Sequence, residues 1–403
     1  MTFLPLSSRH RLLLHFRLFS TTLSPSSPPI SLSSAKSKLR SVHDPDEALS
    51  IFSSISNPTR ISSCYALDLT VKRLSRARRF SDVQSLIESQ KAHPNPHIPE
   101  EPFISTLILS YGRAGMLDHA IRTFDQMDAP RSAVSFNALL SACAASKNSS
   151  QIPKLFSEVP QKYGIVPDKV SYGILIRSLC ELGSPASAVS VLKEMEEKKI
   201  EITTVTYTTV LSGFYKEGKV EEAERVWNEM RDRGCPLDAA VYNVKIMWAA
   251  DHGKPEEVVK LMDEMVLSGL KPDTISYNYL MICHCKNGGI EDAKKVYQGL
   301  KVNKCLPNVT TFKTMVHYLC ESGDFDEALK VCKASIWRKK IPDFGTVKRL
   351  VEGLVKNSKL KKAKELIGEV KKSFPDGSLN AWKKVEIEFG LNGEEMESAQ
   401  TSA

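Results

Sequence analysis

The chain has 403 residues, of which 42% are hydrophobic and 25% are charged, and its formal net charge at pH 7 is +8. No stretch reaches the roughly eighteen consecutive apolar residues that a transmembrane helix needs, so we expect no membrane span. The basic excess is confined to residues 1–40 and 330–384, whereas residues 41–329 carry 33 basic and 37 acidic side chains, so the total charge is weak evidence for RNA binding.

The first forty residues have the composition of an organelle transit peptide. They are rich in Arg and Ser, contain a short apolar stretch, and have no carboxylate before Asp44. Arg17, Phe19 and Ser20 resemble the Arg-x-Phe/Ser cleavage pattern of plant mitochondrial presequences, which predicts a cut after Phe19. We therefore expect a location in the mitochondrial matrix. A chloroplast address and a merely disordered basic tail are the alternatives.

After this leader the chain shows helical patterns in irregular steps. The segment "DEALSIF" at 46–52 predicts the second helix of a partial unit, and residues 64–98 form a weak copy of a complete two-helix unit. Residues 101–132 fit the same unit but are three residues short of 35. Residues 133–168 have one residue too many, and Lys147 stands where glycine is usual.

The register then becomes strict. An aromatic residue recurs every 35 residues, and a glycine follows each aromatic at a distance of eleven: Tyr172, Tyr207, Tyr242, Tyr277 and Phe312, with Gly183, Gly218, Gly253, Gly288 and Gly323. A fixed period of this length predicts an array of small stacked units and not one globular core with a single active site.

Each strict unit has the pattern of a helical hairpin. In residues 204–238 the apolar side chains follow an i, i+3, i+4, i+7 spacing over Tyr207, Val210, Leu211 and Phe214. Gly218 ends this helix because glycine adopts a positive φ without strain. A second apolar stripe follows, and a segment containing Gly and Pro closes the unit.

The array weakens towards the C-terminus. Residues 344–376 form a weaker copy, and the last stretch, with Trp382 and Phe389, predicts a terminal cap. The predicted domains are a transit peptide and disordered segment at 1–40, a partial repeat at 41–63, the repeat array at 64–376, and a C-terminal cap with an acidic tail at 377–403.

The repeated hairpin resembles the pentatricopeptide repeat family. Its form is "VTYNxLI…G…A…M…G…PD", with copies such as "ISYNYLMICHCKNGGIEDAKKVYQGL" at 275–300 and the closure "GLKPD" at 269–273. The resemblance implies an all-α, right-handed superhelical solenoid of about nine 35-residue hairpins. It is closest to short pure-repeat proteins of plant mitochondria, some of which are components of the mitochondrial ribosome. Tetratricopeptide repeats differ in period and in their Trp-containing start.

The resemblance also implies which side chains contact RNA. In the family, one base is chosen per unit by the residue after the conserved aromatic and by the last residue of the unit. In this sequence the pairs are Asn137 with Asp168, Gly173 with Thr203, Thr208 with Asp238, Asn243 with Asp273, Asn278 with Asn308, and Lys313 with Asp343.

By the family's code, Asn with Asp implies uracil, Thr with Asp implies guanine, and Asn with Asn implies a pyrimidine. The three adjacent regular units would then favour 5′-G-U-C/U-3′. Gly173 with Thr203 lies outside the usual code, as does Lys313. The last residue of each unit also precedes the next helix directly, so the same side chains are expected to cap helices.

The sequence contains no pattern typical of catalysis or of a metal site. Its nine cysteines are an odd number, and we expect free thiols. Cys283, His284 and Cys285 lack the spacing of a zinc site, and no phosphate-binding loop or H-E-x-x-H segment is present. We therefore expect no enzymatic activity, no cofactor and no bound metal.

The prediction is an organellar protein, monomeric, that binds single-stranded RNA (mRNA or rRNA) and acts in mitochondrial gene expression by occupancy. It could be associated with the ribosome or specific for a transcript. The lysine-rich segment 330–384 could hold phosphates, or it could be an ordinary solvated surface. The alternative function is a structural scaffold that binds ribosomal proteins or folded rRNA, and a third is an adaptor for a nuclease.

Overall fold

The computed structural model describes residues 29–55, 64–92, 100–373 and 379–391. Apart from an isolated β-bridge between Ile30 and Ile55, these residues contain no β-structure, so the all-α prediction is confirmed for them. The helices are α1 (Leu32–Ser41), α2 (Pro45–Ser53), α3 (Cys64–Arg76), α4 (Phe80–Lys91), α5 (Glu100–Arg113), α6 (Leu117–Asp125), α7 (Ala133–Ala145), α8 (Ile152–Tyr163), α9 (Lys169–Glu181), α10 (Pro185–Glu197), α11 (Thr204–Lys216), α12 (Val220–Asp232), α13 (Ala239–His252), α14 (Pro255–Leu267), α15 (Thr274–Lys286), α16 (Ile290–Gly299), α17 (Val309–Glu321), α18 (Phe325–Trp337), α19 (Phe344–Lys356), α20 (Leu360–Lys371) and α21 (Leu379–Glu388).

Consecutive helices form hairpins that stack into a solenoid. The first helix of each hairpin packs on the first helix of the next, so that α9, α11, α13, α15, α17 and α19 form one continuous layer. The second helices lie in an outer layer, and each contacts the first helix of its own hairpin and of the following one. We call the exposed side of the first-helix layer the first-helix face.

The first helices begin where the sequence predicts. The last residue of each unit caps the next helix by accepting a hydrogen bond from a backbone amide in its first turn: Asp168, Thr203, Asp238, Asp273, Asn308 and Asp343. A cap of this type contributes about 1 kcal/mol, so these residues, predicted to contact bases, have a structural role in this protein.

The turn inside each hairpin uses a left-handed residue in most units. Gly183, Gly218, Gly288 and Gly323 have φ between 70° and 80°, as predicted. Gly253 is different, with φ of −113°, because α13 extends one residue further and ends without the left-handed turn. A Cβ at Gly253 would lie 2.9 Å from the Ala249 carbonyl oxygen, so this glycine is required for close approach and not for a positive φ.

The core repeats with the sequence period. Tyr172, Tyr207, Tyr242 and Phe312 are buried, whereas Tyr277 is only half-buried. The tyrosine hydroxyls reach the second helix, as where Tyr172 donates to Glu194 Oε1 at 2.8 Å. Burial of an aromatic side chain stabilises the fold by about 2 kcal/mol, and the hydroxyl bond orients the two helices of the hairpin.

A close helix contact depends on glycine near the C-terminal end of the array. Gly353 lies on α19 opposite the ring of Phe325 on α18, and a Cβ at this position would lie 1.9 Å from that ring. Gly368, on α20, has no atom within 4 Å of the corresponding position. The two glycines therefore respond differently to the same substitution.

The solenoid begins earlier than predicted. Helix α1 lies inside the segment 1–40 that was expected to be leader and disordered, and it pairs with α2. Ala35 and Leu39 on α1 are fully buried, and the Arg73 guanidinium donates to the Val42 carbonyl at 2.8 Å. Sequence periodicity identified only α2, because Leu32, Ala35 and Leu39 are the only apolar residues of α1.

The two termini are only partly described. The predicted cleavage after Phe19 and the acidic tail lie outside the described residues. Helix α21 covers the end of the core, where Trp382 is fully buried with its ring centroid 4.7 Å from that of Phe344. None of the described helices is long and apolar enough to cross a membrane.

Candidate nucleic-acid interface

The best-defined group on the first-helix face joins Asn243, Asp273 and Ser276. Nδ2 of Asn243 donates to Oδ1 of Asp273 at 3.1 Å, and the Ser276 hydroxyl donates to Oδ1 of Asn243 at 2.6 Å. Asp273 Oδ1 also accepts the Ser276 backbone amide at 3.0 Å. The cluster therefore links the first helix of one unit, the cap of the next helix and the first turn of that helix.

The same arrangement recurs in two other units. Asn137 donates to Asp168 Oδ1 at 3.0 Å and accepts from the Ser171 hydroxyl at 2.5 Å. Its counterpart at Asn278 donates to Asn308 Oδ1 at 3.3 Å and accepts from the Thr311 hydroxyl at 2.7 Å. The sequence analysis named each Asn and the last residue of its unit as the two base-contacting positions, but it predicted neither their hydrogen bond nor the hydroxyl, which lies three residues after that cap.

These clusters leave little of each asparagine for a ligand. Asn243 is 7% exposed and Asn278 is 4% exposed, so both side chains are buried in contacts between units. In Asn243, for example, the side-chain Oδ1 accepts a hydrogen bond from the Ser276 hydroxyl, and one Nδ2 hydrogen is donated to the capping residue Asp273. The second amide hydrogen remains as a donor with a fixed direction.

Two of the capping carboxylates, those of Asp168 and Asp273, keep one oxygen for a ligand. The hydrogen bonds described for Asp168 and Asp273 all fall on Oδ1, and Oδ2 of each is a further acceptor. Burial of Asp168 opposes ionisation, but the hydrogen bonds from Asn137, Ser171 and Val170 outweigh it and hold the pKa of Asp168 below its ordinary value. The carboxylate is therefore charged at neutral pH and can accept a hydrogen bond from a base edge.

Two predicted pairs form no such cluster. The Thr208 hydroxyl donates to the Thr204 carbonyl at 2.7 Å, while Asp238 caps α13 through the Val241 amide at 2.9 Å. Thr208 and Asp238 do line a common depression of about 380 Å³ on the first-helix face. Gly173 faces open space, with no atom within 4 Å of the position that a Cβ would occupy, and Thr203 caps α11.

Lys313 and Asp343 form an ion pair instead of a neutral cluster. Nζ of Lys313 lies 2.8 Å from Oδ2 of Asp343, and both side chains are more than half exposed. The hydrogen bond from Lys313 holds the pKa of Asp343 below its ordinary value. Exposed pairs of this kind contribute little to stability, so Lys313 can exchange the carboxylate for a phosphate.

A row of exposed aliphatic residues lies beside the clusters and was missed by the sequence analysis. Val134, Val170, Val205 and Ile275 are between 47% and 64% exposed, and each precedes a predicted base-contacting position by three residues. Residues three apart share a helix face, so each aliphatic side chain is next to that position. The signal in the sequence was a β-branched residue at the second position of the first helix, outside the buried stripe.

Unpaired cations gather near the N-terminal end of this face. Lys72, Arg76 and Lys147 line a depression of about 730 Å³ together with Phe80, and they make no ion pair within the described part of the chain. Arg113 lines the same depression but is paired with Asp68. This basic patch lies in units with a weak repeat pattern, where the sequence analysis expected no excess of charge.

The lysine-rich segment 330–384 is more neutralised than its composition implied. Lys333, Lys348 and Lys371 are paired with glutamates. Hydrogen bonds from Lys359 and Lys362 lower the pKa of Asp326 to about 2. Part of this segment is therefore an ordinary ion-paired surface, and the phosphate-binding prediction applies only to the cations without partners.

The cysteines are packing residues in the described structure. Cys180 and Cys320 are buried, and burial raises the pKa of each thiol to about 11. Burial also raises the pKa of Cys285 to about 12, so these thiols are protonated at neutral pH. No group of three or more His, Cys, Asp or Glu in the described ranges is placed to hold a metal ion.

Sequence comparison assigns this repeat. A model described as the PPR repeat family matches five overlapping segments, and a PPR repeat model matches two more: 131–181, 167–216, 202–246, 237–283 and 272–321, with 105–129 and 310–335. Together these segments cover more than half of the chain. The chain belongs to the pentatricopeptide repeat family.

Two relatives from Arabidopsis thaliana are similar to this pentatricopeptide repeat protein over half of its length. The small ribosomal subunit protein mL103 is 55% identical over 50% of this chain and 50% of its own. A mitochondrial pentatricopeptide repeat-containing protein is 52% identical over 48% of this chain and 47% of its own. The chain thus spans about half the length of each relative.

A solved structure is also similar. The pentatricopeptide repeat protein PPR10 from maize aligns with 88% of this chain and 59% of its own at 18% identity, with a TM-score of 0.43. A likeness at this score carries no information about the site. The family assignment therefore rests on the sequence models.

Proposed function

We propose that this protein binds single-stranded RNA along its first-helix face and acts in mitochondrial gene expression by occupancy, without catalysing a reaction. The observation that carries the proposal is the recurrence of one polar cluster, Asn with Asp or Asn and a hydroxyl, in units 133–168, 239–273 and 274–308. The clusters occupy the same position of their units, and those of 239–273 and 274–308 are adjacent, as reading successive bases requires.

The geometry of the cluster supports recognition of a base edge. The Asn side chain is held by two hydrogen bonds, so its remaining amide hydrogen has a fixed direction. Oδ2 of Asp273 is a fixed acceptor beside it. A donor and an acceptor placed in this way suit the edge of uracil, which offers an N–H between two carbonyl groups. Such preorganisation reduces the entropy that is lost on binding.

The exposed aliphatic residues support a second type of contact. Val170 and Val205 lie at the same position of adjacent first helices, and Ile275 repeats this position two units later. A base that enters between neighbouring units would cover these apolar side chains while its edge meets the polar cluster. Arg177 and Lys216, which line the depression beside Thr208, could neutralise phosphates.

The relatives support the location and the setting. One is named a small ribosomal subunit protein and the other a mitochondrial repeat protein, and both cover about half of this chain. We propose by similarity that this protein is mitochondrial and that it associates with the mitochondrial ribosome. A chloroplast location is the alternative.

The test uses a short single-stranded RNA that contains 5′-GUC-3′, measured by filter binding. Replacing Val170, Val205 and Ile275 together by Ser should weaken binding by about tenfold or more, because the three substitutions remove apolar surface that a base would bury at about 25 cal/mol per Å². Val259→Ser is the matched control, since this exposed aliphatic side chain lies on the second helix α14. Equal affinity of the triple variant and the control would refute RNA binding on this face.

A second candidate is a structural scaffold that binds ribosomal proteins or folded rRNA. The observation in its favour is that Asn243 and Asn278 are buried in contacts between units, which gives them a structural role without RNA. Crosslinking in organelle extracts separates the two functions. Crosslinks at fixed sites on rRNA or ribosomal proteins favour the scaffold, and crosslinks at many mRNA sites favour RNA binding along the first-helix face.

A further inference from the structure

Three large apolar side chains form a line on the edge of the solenoid. Leu267, Val302 and Trp337 are 87%, 83% and 79% exposed, and they occupy the same position of three successive units. Leu267 ends α14, Trp337 ends α18, and Val302 follows α16 in the next turn. We call these three residues the edge stripe.

The fold does not require apolar residues at this position. The equivalent residues of three other units are Glu197, Asp232 and Lys372, all charged. Leu306, which is 73% exposed, enlarges the apolar surface next to Val302. Apolar side chains that are grouped and largely exposed mark an interaction site more often than chance exposure.

The surroundings of Val302 and Trp337 in the edge stripe are basic. No Asp or Glu occurs in residues 296–307 or 328–342. Lys301, Lys304 and Lys339 make no ion pair within the described residues. The Arg338 guanidinium lies over the Trp337 ring, 5.5 Å from its centroid. The apolar line is therefore bordered by unpaired positive charge at Val302 and Trp337, whereas Asp263 and Glu264 precede Leu267 by one turn of α14.

We propose that the edge stripe docks an acidic amphipathic helix of a protein partner. Packed helices lie about 8–10 Å apart, so the three side chains span roughly 20 Å. An α-helix rises 1.5 Å per residue, and a partner helix of about 13–15 residues would span this distance. Its apolar face would cover the edge stripe, and its flanking Glu and Asp residues would meet the lysines.

The chemistry favours a protein over RNA or a membrane. The edge stripe lies at the ends of second helices, outside the first-helix face with its polar clusters, and Leu267 and Val302 offer no charge to a phosphate. Helices that bind in the plane of a membrane present one long apolar face, whereas the edge stripe takes a single residue from each of three helix ends. Apolar contacts flanked by ion pairs are instead typical of a helix docked against a protein surface. This inference goes beyond RNA binding and does not depend on it.

The test uses the full chain and a synthetic peptide of about 15 residues, built from Leu and Glu so that Leu occupies one helix face. Trp337 reports on binding because Trp227, Trp248 and Trp382 are buried or half-buried. The peptide should shift the Trp337 emission to shorter wavelength and protect it from acrylamide quenching. A peptide of the same composition in shuffled order should not.

Substitutions then locate the site. Replacing the three residues of the edge stripe by Ser should weaken peptide binding by about tenfold or more, measured by anisotropy of a labelled peptide. Val166→Ser is the control, because this side chain is 82% exposed but lies outside the edge stripe. The Ser substitutions should leave folding and RNA affinity unchanged, since all three side chains are on the surface.

Several results would overturn the inference. Equal binding of the ordered and shuffled peptides would show non-specific charge attraction. Loss of affinity for single-stranded RNA or for anionic phospholipid vesicles in the edge-stripe variant, with peptide binding intact, would assign the surface to those ligands. Self-association of the wild-type protein that the variant abolishes would assign it to a second copy of this chain. Absence of RNA binding by the wild type would count only against the proposed function.

Discussion

Asn243→Ala tests whether the polar clusters hold the repeats together in the absence of RNA. The side chain is 7% exposed and makes two hydrogen bonds, one from the Ser276 hydroxyl and one to the charged Asp273. A neutral hydrogen bond contributes about 1 kcal/mol, and a bond to a charged group contributes about 1.5–3 kcal/mol. Ser276 and Asp273 can bond to each other at 3.2 Å after the change, which limits the loss. We expect the free energy of unfolding to fall by about 2 kcal/mol.

The measurement is urea unfolding followed by circular dichroism, with hydrogen exchange at the first turn of α15 to localise the effect. Asn303→Ala is the matched control, because Asn303 is exposed and should change stability by no more than about 0.5 kcal/mol. A double-mutant cycle with Ser276→Ala should give a coupling energy of at least about 0.5 kcal/mol. A cycle without coupling, together with stability equal to the control, would refute the structural role of the cluster.

Three further outcomes follow from the packing and the charges. Gly353→Ala should destabilise the protein by about 1–3 kcal/mol, because the added Cβ would clash with the Phe325 ring. Gly368→Ala should stabilise it by about 0.5–1 kcal/mol, because the added methyl group meets no atom and alanine favours a helix. Thermal unfolding of the two variants compares them directly. The pKa of Asp326 is about 2, below its ordinary value, so its ion pairs stabilise the fold above about pH 4 and are lost as the pH falls towards 2. The difference in the free energy of unfolding between wild type and Asp326→Asn should therefore shrink over that interval in an acid titration. Lys147 has φ of 60°, a left-handed conformation that strains a residue with a Cβ but not glycine. Lys147→Gly should therefore raise the free energy of unfolding by about 1 kcal/mol. An unchanged melting temperature would contradict this expectation.

The candidate site was predictable in part. The resemblance to the repeat family pointed to Asn137, Asn243 and Asn278 and to the last residues of their units, and the structure joins each Asn to that last residue by a hydrogen bond. The hydroxyl partners were not predicted, because Ser and Thr in a first turn are common whether or not they have a distant partner. The exposed aliphatic row was not predicted either, since a search for buried stripes discards residues outside them.

The sequence by itself determined the helical hairpins, their length and most of their caps. These features depend on apolar spacing, on glycine at a left-handed turn, and on an acceptor side chain before each helix, all within about 35 residues. The early hairpin formed by α1 and α2 shows the limit of this reasoning, because α1 has only three apolar residues, Leu32, Ala35 and Leu39.

Only the tertiary structure decided which polar residues remain available to a ligand. Asn243 and Asn278 are buried because the next unit places a cap and a hydroxyl against them, about 30 residues away along the chain. The edge stripe likewise exists only because stacking brings equivalent helix ends side by side. Burial and proximity are properties of the packed array, and a local pattern in the sequence does not contain them.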